Sequence, residues 1–353
     1  MKYTINNPHL LTDSQLRRKQ GKIATRVFSN SFLGLVGYTI VSSIAVITIA
    51  VVMALVLDED TMNKITSSEY FAMGMQMITM YVIALPAFFA FIRPIPTRRV
   101  VEGEISFSDF MRLFSISMFF IYVGKIISTL LNVYVLSGDP IATSSLSILE
   151  DEILSAPNIL TVAVVVVIGP IAEELIFRKA LIDRLGKYGE KMALIISSVA
   201  FGVFHGNFDQ LFYATLIGFI CGFVYIKTGR LVFSCIIHML INFFGTVPHI
   251  LLSSVTSDIS DTDTIMALLL SEDTPAHATV GLGLLALAAV FTVFGFIALI
   301  KSSSSGVFDY EYKTEIELSP WRKLRCAILN IGVIVFILLC ISTFLSYYQV
   351  ITL

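Results

Sequence analysis

The stretch 169–178, GPIAEELIFR, places two adjacent glutamates, Glu173 and Glu174, and an arginine, Arg178, inside an otherwise apolar segment. A charge near the middle of a bilayer costs about 2.5–3.5 kcal/mol, so three charges cost roughly 7–10 kcal/mol. Each Leu, Ile or Val in the apolar run before them favours insertion into the membrane by only about 0.3–0.6 kcal/mol. The three charges therefore need polar partners inside a helix bundle, and ionisable groups in such a place indicate a functional site.

Helical spacing separates the roles of these three residues. Glu174 and Arg178 are four positions apart, so they lie on the same face of a helix and are expected to form an ion pair. Glu173 is about 100° further round the helix, so it cannot share that face. An ion pair that is purely structural would account for Glu174 and Arg178, but it would leave Glu173 unexplained.

Two later apolar segments carry polar side chains at a similar predicted depth. His205 ends FGVFHG, with Phe201 one turn earlier on the same face, and His238 and Asn242 share a face in HMLIN. At about 1.5 Å per residue, Glu173 and His238 both fall near the middle of a core about 30 Å thick. Taken alone, these residues could be interfacial groups or interhelical hydrogen bonds. Together they predict one hydrated pocket.

Such a pocket contains the groups that hydrolysis requires. Glu173 is the expected general base, and His205 is expected to hold and polarise the water. His238 and the amide of Asn242 are donors for the oxyanion of a tetrahedral intermediate. We expect no cofactor, although zinc is the rival interpretation, with Glu173, His205 and His238 as ligands. The sequence lacks HExxH, a GxGD aspartyl motif and a GxSxG serine elbow.

The composition determines the class of protein that carries this site. The chain has 353 residues, of which 56% are hydrophobic and only 14% charged, and its mean hydropathy is +0.83. Soluble domains carry about 25% charged residues, so the sequence predicts an all-α, polytopic membrane protein. The net charge of −2 gives no support for nucleic-acid binding.

Basic and acidic loops alternate along the chain between about nine predicted spans. The positive-inside rule then places the N-terminus in the cytoplasm and the C-terminus outside the cell membrane. The fifth and sixth spans, about 192–205 and 211–226, are short. The sequence divides into a basic cytoplasmic tail (1–31), three N-terminal transmembrane helices (32–158), a catalytic core of spans four to seven (159–250), an extracytoplasmic acidic loop (251–277) and two C-terminal transmembrane helices joined by a cytoplasmic loop (278–353).

The segments EELIFR, FGVFH and HMLIN resemble, in order and spacing, the motifs EExxxR, FxxxH and HxxxN. These motifs belong to the CAAX protease and bacteriocin-processing (CPBP, or Abi) family of intramembrane endopeptidases. TGRLVFSCIIH is similar to the usual lead-in to the third motif, and the resemblance covers about 159–250. Lys179 occupies a position where a small residue is common in the family.

The resemblance implies a role for each matching residue. Glu173 would be the activating glutamate and His205 its partner in a metal-free mechanism. Glu174 and Arg178 would support the site, and His238 with Asn242 would form its oxyanion side.

The leading hypothesis is therefore an intramembrane endopeptidase that cuts a membrane-associated peptide or a lipidated protein. The alternative is a non-proteolytic scaffold, regulator or bacteriocin-immunity protein that binds another membrane protein through its outer spans. A transporter that uses the carboxylates as a proton relay is disfavoured, because the sequence shows neither inverted repeats nor broken helices.

Overall fold

A computed structural model describes residues 3–5, 8–131, 134, 158–255, 262–271 and 274–347. These residues form helices and connections without a β-strand, as the all-α prediction requires. In chain order the helices are α1 (Asp13–Val56), α2 (Glu59–Thr66), α3 (Tyr70–Ile92), α4 (Phe107–Leu131), α5 (Ile159–Tyr188), α6 (Glu190–Phe204), α7 (Phe208–Thr228), α8 (Leu231–Leu252), α9 (Thr262–Leu270), α10 (Ala276–Ile300), α11 (Pro320–Ile328) and α12 (Ile331–Tyr347). Two short helical segments, Pro8–Leu10 and Ser302–Ser305, accompany them.

Within the described residues, seven helices are long and apolar enough to cross a membrane, or eight if α11 and α12 form one span bent by 52°. The predicted span that this length criterion leaves out is the fifth, about 192–205, which corresponds to α6. This helix has 15 residues, about 22 Å, which is shorter than a hydrocarbon core of about 30 Å. Asn207 then caps α7 by accepting from the Gln210 amide, so the chain turns back directly after α6.

The helix ends differ from several predicted boundaries. α1 begins at Asp13, behind a capping box of Thr12 and Gln15, and runs through residue 31 to Val56 without a break. The predicted tail and first span are therefore one helix of 44 residues. Of the predicted N-terminal region 32–158, residues 132–133 and 135–157 lie outside the described residues, and the acidic loop 251–277 is described only in part.

The helices that carry the motifs pack as antiparallel neighbours. α5 runs against α8, with Glu174 opposite His238 and Val165 opposite Asn242. α7 returns along α6, where a Cβ on Gly202 would overlap with Thr215 of α7. Small residues at such contacts allow backbones to approach closely without a hydrophobic driving force between helices.

Four connections meet at one end of the bundle, which we call the clamped end: α3–α4, α5–α6, α7–α8 and α10–α11. Arg98, in the first connection, is buried and forms an ion pair with Glu190 at the start of α6. Its Nε lies 3.6 Å from Oδ1 of Asp183, near the end of α5. The same Asp183 oxygen accepts from the Tyr225 hydroxyl of α7 at 2.9 Å. One arginine therefore links the ends of the motif-bearing helices.

The α10–α11 connection completes this clamp. Glu190 Oε2 accepts from the Tyr310 hydroxyl at 3.1 Å and from the Lys313 backbone amide at 2.8 Å. Burial, reinforced by the nearby Glu190 carboxylate, raises the pKa of Tyr310 to about 12. The phenol therefore stays protonated at neutral pH and continues to donate.

Two glycines on α10 provide a matched test of the helix packing. A Cβ on Gly295 would overlap with the Ser115 carbonyl of α4, whereas nothing lies within 4 Å of a Cβ on Gly283. Gly295→Ala should lower the thermal unfolding midpoint, because overpacking costs about 1–3 kcal/mol. Gly283→Ala should leave it unchanged or raise it, because alanine favours the helix. Equal midpoints for the two variants in detergent would contradict the close approach of α4 and α10.

Candidate active site

A fully buried ion pair lies at the centre of the motif region. Glu174 and Arg178 have no exposed side-chain surface. Arg178 Nη2 donates to Glu174 Oε1 at 3.1 Å, and Nε lies 3.0 Å from Oε2. The second contact is ionic, because the Nε–H is not aimed at the oxygen and neither atom has a hydrogen-bond partner among the described residues. Each charge thus has its counter-ion one helical turn away on α5.

Neighbouring helices hold this ion pair from two sides. Arg178 Nη1 donates to Ser197 Oγ of α6 at 3.4 Å, and the guanidinium carbon lies 4.8 Å from the centre of the Phe201 ring. Ser234 of α8 is buried near Glu174, and its hydroxyl donates to the Leu231 carbonyl at 2.9 Å. The two serines are missed by the sequence analysis, although a polar residue facing inward from an apolar helix is a detectable signal.

His238 of α8 bridges the two glutamates. Its Nδ1 lies 3.1 Å from Glu174 Oε1, and its Nε2 lies 3.6 Å from Glu173 Oε2. Since Glu174 offers only acceptors, Nδ1 carries the proton in that hydrogen bond. The 3.6 Å separation is longer than a hydrogen bond, and a bridging water could complete it.

The two glutamates differ most in their exposure. The Glu173 side chain is 34% exposed, whereas the Glu174 side chain is fully buried. Arg178 forms an ion pair with Glu174, so Glu173 is the carboxylate that a water or a substrate can reach. The structure thus separates a neutralised carboxylate from an accessible one on consecutive residues.

His205 ends α6 close to this group but does not touch Glu173. Its Nδ1 lies 2.8 Å from the Phe201 carbonyl, which leaves Nε2 as the free ring nitrogen. The Phe201 ring lies 4.8 Å from the His205 ring and 5.6 Å from the His238 ring, measured between centroids. Among the described residues, the basic group within 4.0 Å of the Glu173 carboxylate is His238. The Phe201 ring therefore lies against both imidazoles.

The Asn242 side chain makes one hydrogen bond to the backbone of α5. Its Nδ2 donates to the Val165 carbonyl of α5 at 2.8 Å, so one amide hydrogen is occupied and the second remains. Val165 lies in a π-helical segment, Val162–Ile168, and a second one follows at Leu175–Ile182. The two glutamates end the short α-helical stretch between them, and π-bulges are frequent at functional sites.

Two tyrosines from outside the motif region also approach Glu173. Tyr38 of α1 and Tyr81 of α3 are close enough to interact electrostatically with its carboxylate. The Tyr81 hydroxyl lies 3.3 Å from the position of a Cβ on Gly169, one turn before Glu173. The sequence analysis missed both tyrosines, because nothing local relates α1 and α3 to the motif helices.

The zinc interpretation does not fit this arrangement. No group of three His, Cys, Asp or Glu side chains that could hold a metal ion occurs in the part of the chain that the structure describes. Glu173 and His238 face each other, but His205 does not join them. The donor set therefore supplies two of the three protein ligands that a catalytic zinc site uses.

Comparison with known proteins agrees with the motifs. Residues 155–244 match the family described as type II CAAX prenyl endopeptidase Rce1-like. The matched segment contains all six of the site residues that the sequence analysis proposes. No solved structure matches the chain.

Two curated bacterial proteins are similar to parts of the chain. The "Putative membrane peptidase YdiL" of Bacillus subtilis (strain 168) is 29% identical over 178 residues, which are 50% of this chain and 72% of that protein. The "UPF0177 protein YxdF" of Lactococcus lactis subsp. lactis (strain IL1403) is 36% identical over 80 residues, which are 22% of this chain and 44% of that protein. The motifs, the all-helical membrane architecture and these matches agree that residues 155–244 form an Rce1-like segment of a membrane protein.

Proposed function

We propose that the chain is an intramembrane endopeptidase in which Glu173 activates a water molecule. The observation that carries this proposal is the unequal environment of the two glutamates: Arg178 neutralises Glu174, while Glu173 stays accessible beside His238. A carboxylate with an exposed edge and an imidazole at 3.6 Å has the surroundings of a general base. The match to the Rce1-like family and the peptidase name of the Bacillus relative support the same class of reaction.

The reaction would proceed in two proton transfers. Glu173 removes a proton from a water that His205 Nε2 and His238 help to hold, and the resulting hydroxide attacks the carbonyl carbon of the scissile peptide bond. The tetrahedral oxyanion accepts hydrogen bonds from the second amide hydrogen of Asn242 and from His238, which takes part as an imidazolium with protons on both Nδ1 and Nε2. Glu173 then returns its proton to the leaving amine as the carbon–nitrogen bond breaks, which regenerates the carboxylate.

Glu174 and Arg178 would act as positioning residues rather than as reacting groups. The Glu174 carboxylate fixes the His238 ring through Nδ1, so that Nε2 points towards Glu173. Arg178 keeps Glu174 ionised inside an apolar core, where a lone carboxylate would be strongly disfavoured. The pair therefore sets the geometry on which proton transfer depends.

The membrane setting supports a substrate that is itself bound to the membrane. A site between membrane helices is reached by a membrane-associated peptide or by a lipidated protein, and the bilayer is the second partner. The clamped end carries Arg93, Arg98 and Arg99 in the α3–α4 connection, Lys227 in the last turn of α7 and Arg230 in the α7–α8 connection. By the positive-inside rule this end faces the cytoplasm, with the N-terminus on that side and the C-terminus outside.

Glu173→Gln tests the general base directly. The variant should fold and insert as the wild type does, because Glu173 is partly exposed and takes no part in the buried ion pair. Its cleavage rate should fall by about 10²–10⁴-fold, the usual contribution of a general base. Quantitative proteomics of membrane peptides from cells that carry each form identifies the affected substrates, and their rates of processing give the ratio.

A matched control is Glu102→Gln, which makes the same chemical change at an exposed ion pair with Arg230. It should process substrate at the wild-type rate. Normal processing by Glu173→Gln would rule out the mechanism and would favour a non-proteolytic scaffold that binds another membrane protein.

A second experiment separates the positioning pair from the base. Glu174→Gln leaves the Arg178 charge buried without a counter-ion, which should destabilise the protein by about 3–5 kcal/mol. The double variant Glu174→Leu/Arg178→Met removes both charges, so it should unfold at a higher temperature than Glu174→Gln in the same detergent. A Glu174→Gln variant as stable as the wild type would contradict the role assigned to this ion pair.

A further inference from the structure

A cationic cavity lies between α1 and α11, away from the candidate active site. Its volume is about 390 Å³, and its walls include Arg18 and Lys22 of α1 and Arg322 and Arg325 of α11. Lining residues that carry no charge include Thr25 and Cys326, whose side chains hydrogen bond to each other at 3.3 Å. No acidic side chain lines the cavity within the part of the chain that the structure describes.

The four cations have no counter-ion of their own. None of them lies within 4.0 Å of a carboxylate among the described residues. Arg322 also borders a neighbouring cavity whose acidic lining residues are Asp13, Glu315 and Glu317, but none of these carboxylates lies within 4.0 Å of the Arg322 guanidinium. Four like charges around one space repel each other, so an anion that enters the space would relieve this repulsion.

α11 has the features of a helix that lies in a membrane interface. One side presents apolar groups outward: Trp321 is 69% exposed, and Leu324 and Ile328 are also exposed. The side that carries Arg322, Arg325 and Cys326 lines the cavity. The helix then bends by 52° into the apolar α12. A basic amphipathic helix with an exposed tryptophan, next to a membrane span, typically lies at the headgroup level.

We infer that this cavity binds the phosphate headgroup of an anionic phospholipid. The four cations supply the charge complementarity, and the exposed apolar side of α11 gives the acyl chains a continuous surface from the headgroup into the bilayer. Basic pockets at the cytoplasmic ends of membrane helices recognise lipids in this way. A soluble phosphate would use the same cations but would gain nothing from Trp321, Leu324 and Ile328.

The bound lipid would hold α1 and α11 together. α1 continues from the cavity into the bundle, where Phe28 packs against Tyr188 of α5 with ring centroids 5.9 Å apart. α12 approaches α1 so closely that a Cβ on Gly332 would overlap with the Ser29 backbone. An anion between the two cationic walls therefore stabilises a contact that supports the whole bundle, independently of any peptidase activity.

The test compares lipid binding to the delipidated full-length protein by native mass spectrometry. Wild type should retain phosphatidylglycerol in preference to phosphatidylcholine, and added salt should weaken that preference. Arg322→Gln/Arg325→Gln should reduce the affinity for phosphatidylglycerol by about thirtyfold, from about five- to sixfold per cation. The control, Arg93→Gln/Arg99→Gln, removes two exposed cations at the same end and should bind as wild type does.

If the α11 variant does not fold, Arg18→Gln/Lys22→Gln removes the two cations that line the cavity from α1. It should show the same loss of affinity for phosphatidylglycerol. Equal retention of the two lipids by wild type, or an equal effect of cavity and control variants, would overturn the inference. Glycerol 3-phosphate that displaces phosphatidylglycerol at equal concentration would overturn the lipid assignment, because the apolar side of α11 would then contribute nothing.

Discussion

The site depends on a carboxylate and a guanidinium that stay charged inside an apolar bundle. Neither Glu174 nor Arg178 is exposed, so neither charge is stabilised by water, and each depends on the other and on the few polar groups around them. Removing one partner from such a pair is far more damaging than removing both. This constraint explains why Ser197 of α6 and His238 of α8 direct polar atoms at the pair.

From this pair the arrangement extends outward in two steps. Glu174 holds one nitrogen of His238, and the other nitrogen is thereby directed to Glu173, the carboxylate that is open to solvent or substrate. The Phe201 ring lies against both Arg178 and the two histidines, so it fixes the spacing of the group. At the clamped end, Arg98 joins the ends of α5 and α6 through Asp183 and Glu190, which keeps the motif-bearing helices in register.

Much of this arrangement could be predicted from the sequence, because the determining signals are local. Spacing within one helix predicts the Glu174–Arg178 contact and the separate direction of Glu173, and hydropathy predicts an all-helical membrane protein. Counting apolar runs does not reveal that α6, with 15 residues, is shorter than a straight crossing of the hydrocarbon core requires. Contacts between distant segments were also missed. Tyr38 and Tyr81 approach Glu173 from α1 and α3, and Asn242 donates one amide hydrogen to the Val165 carbonyl. Such pairings depend on helix packing and side-chain rotation, which single-sequence patterns do not encode.

The central claim is that the two consecutive glutamates differ in accessibility: the Glu173 carboxylate is accessible, whereas the Glu174 carboxylate is buried and paired with Arg178. Modification of the membrane-embedded protein with a hydrophobic carbodiimide, followed by mass mapping of the 169–178 region, measures this difference directly. The account predicts an adduct on Glu173 and none on Glu174 in the folded protein, with both residues reacting after unfolding. A folded protein that carries the adduct on Glu174 at a yield comparable to Glu173 would contradict it.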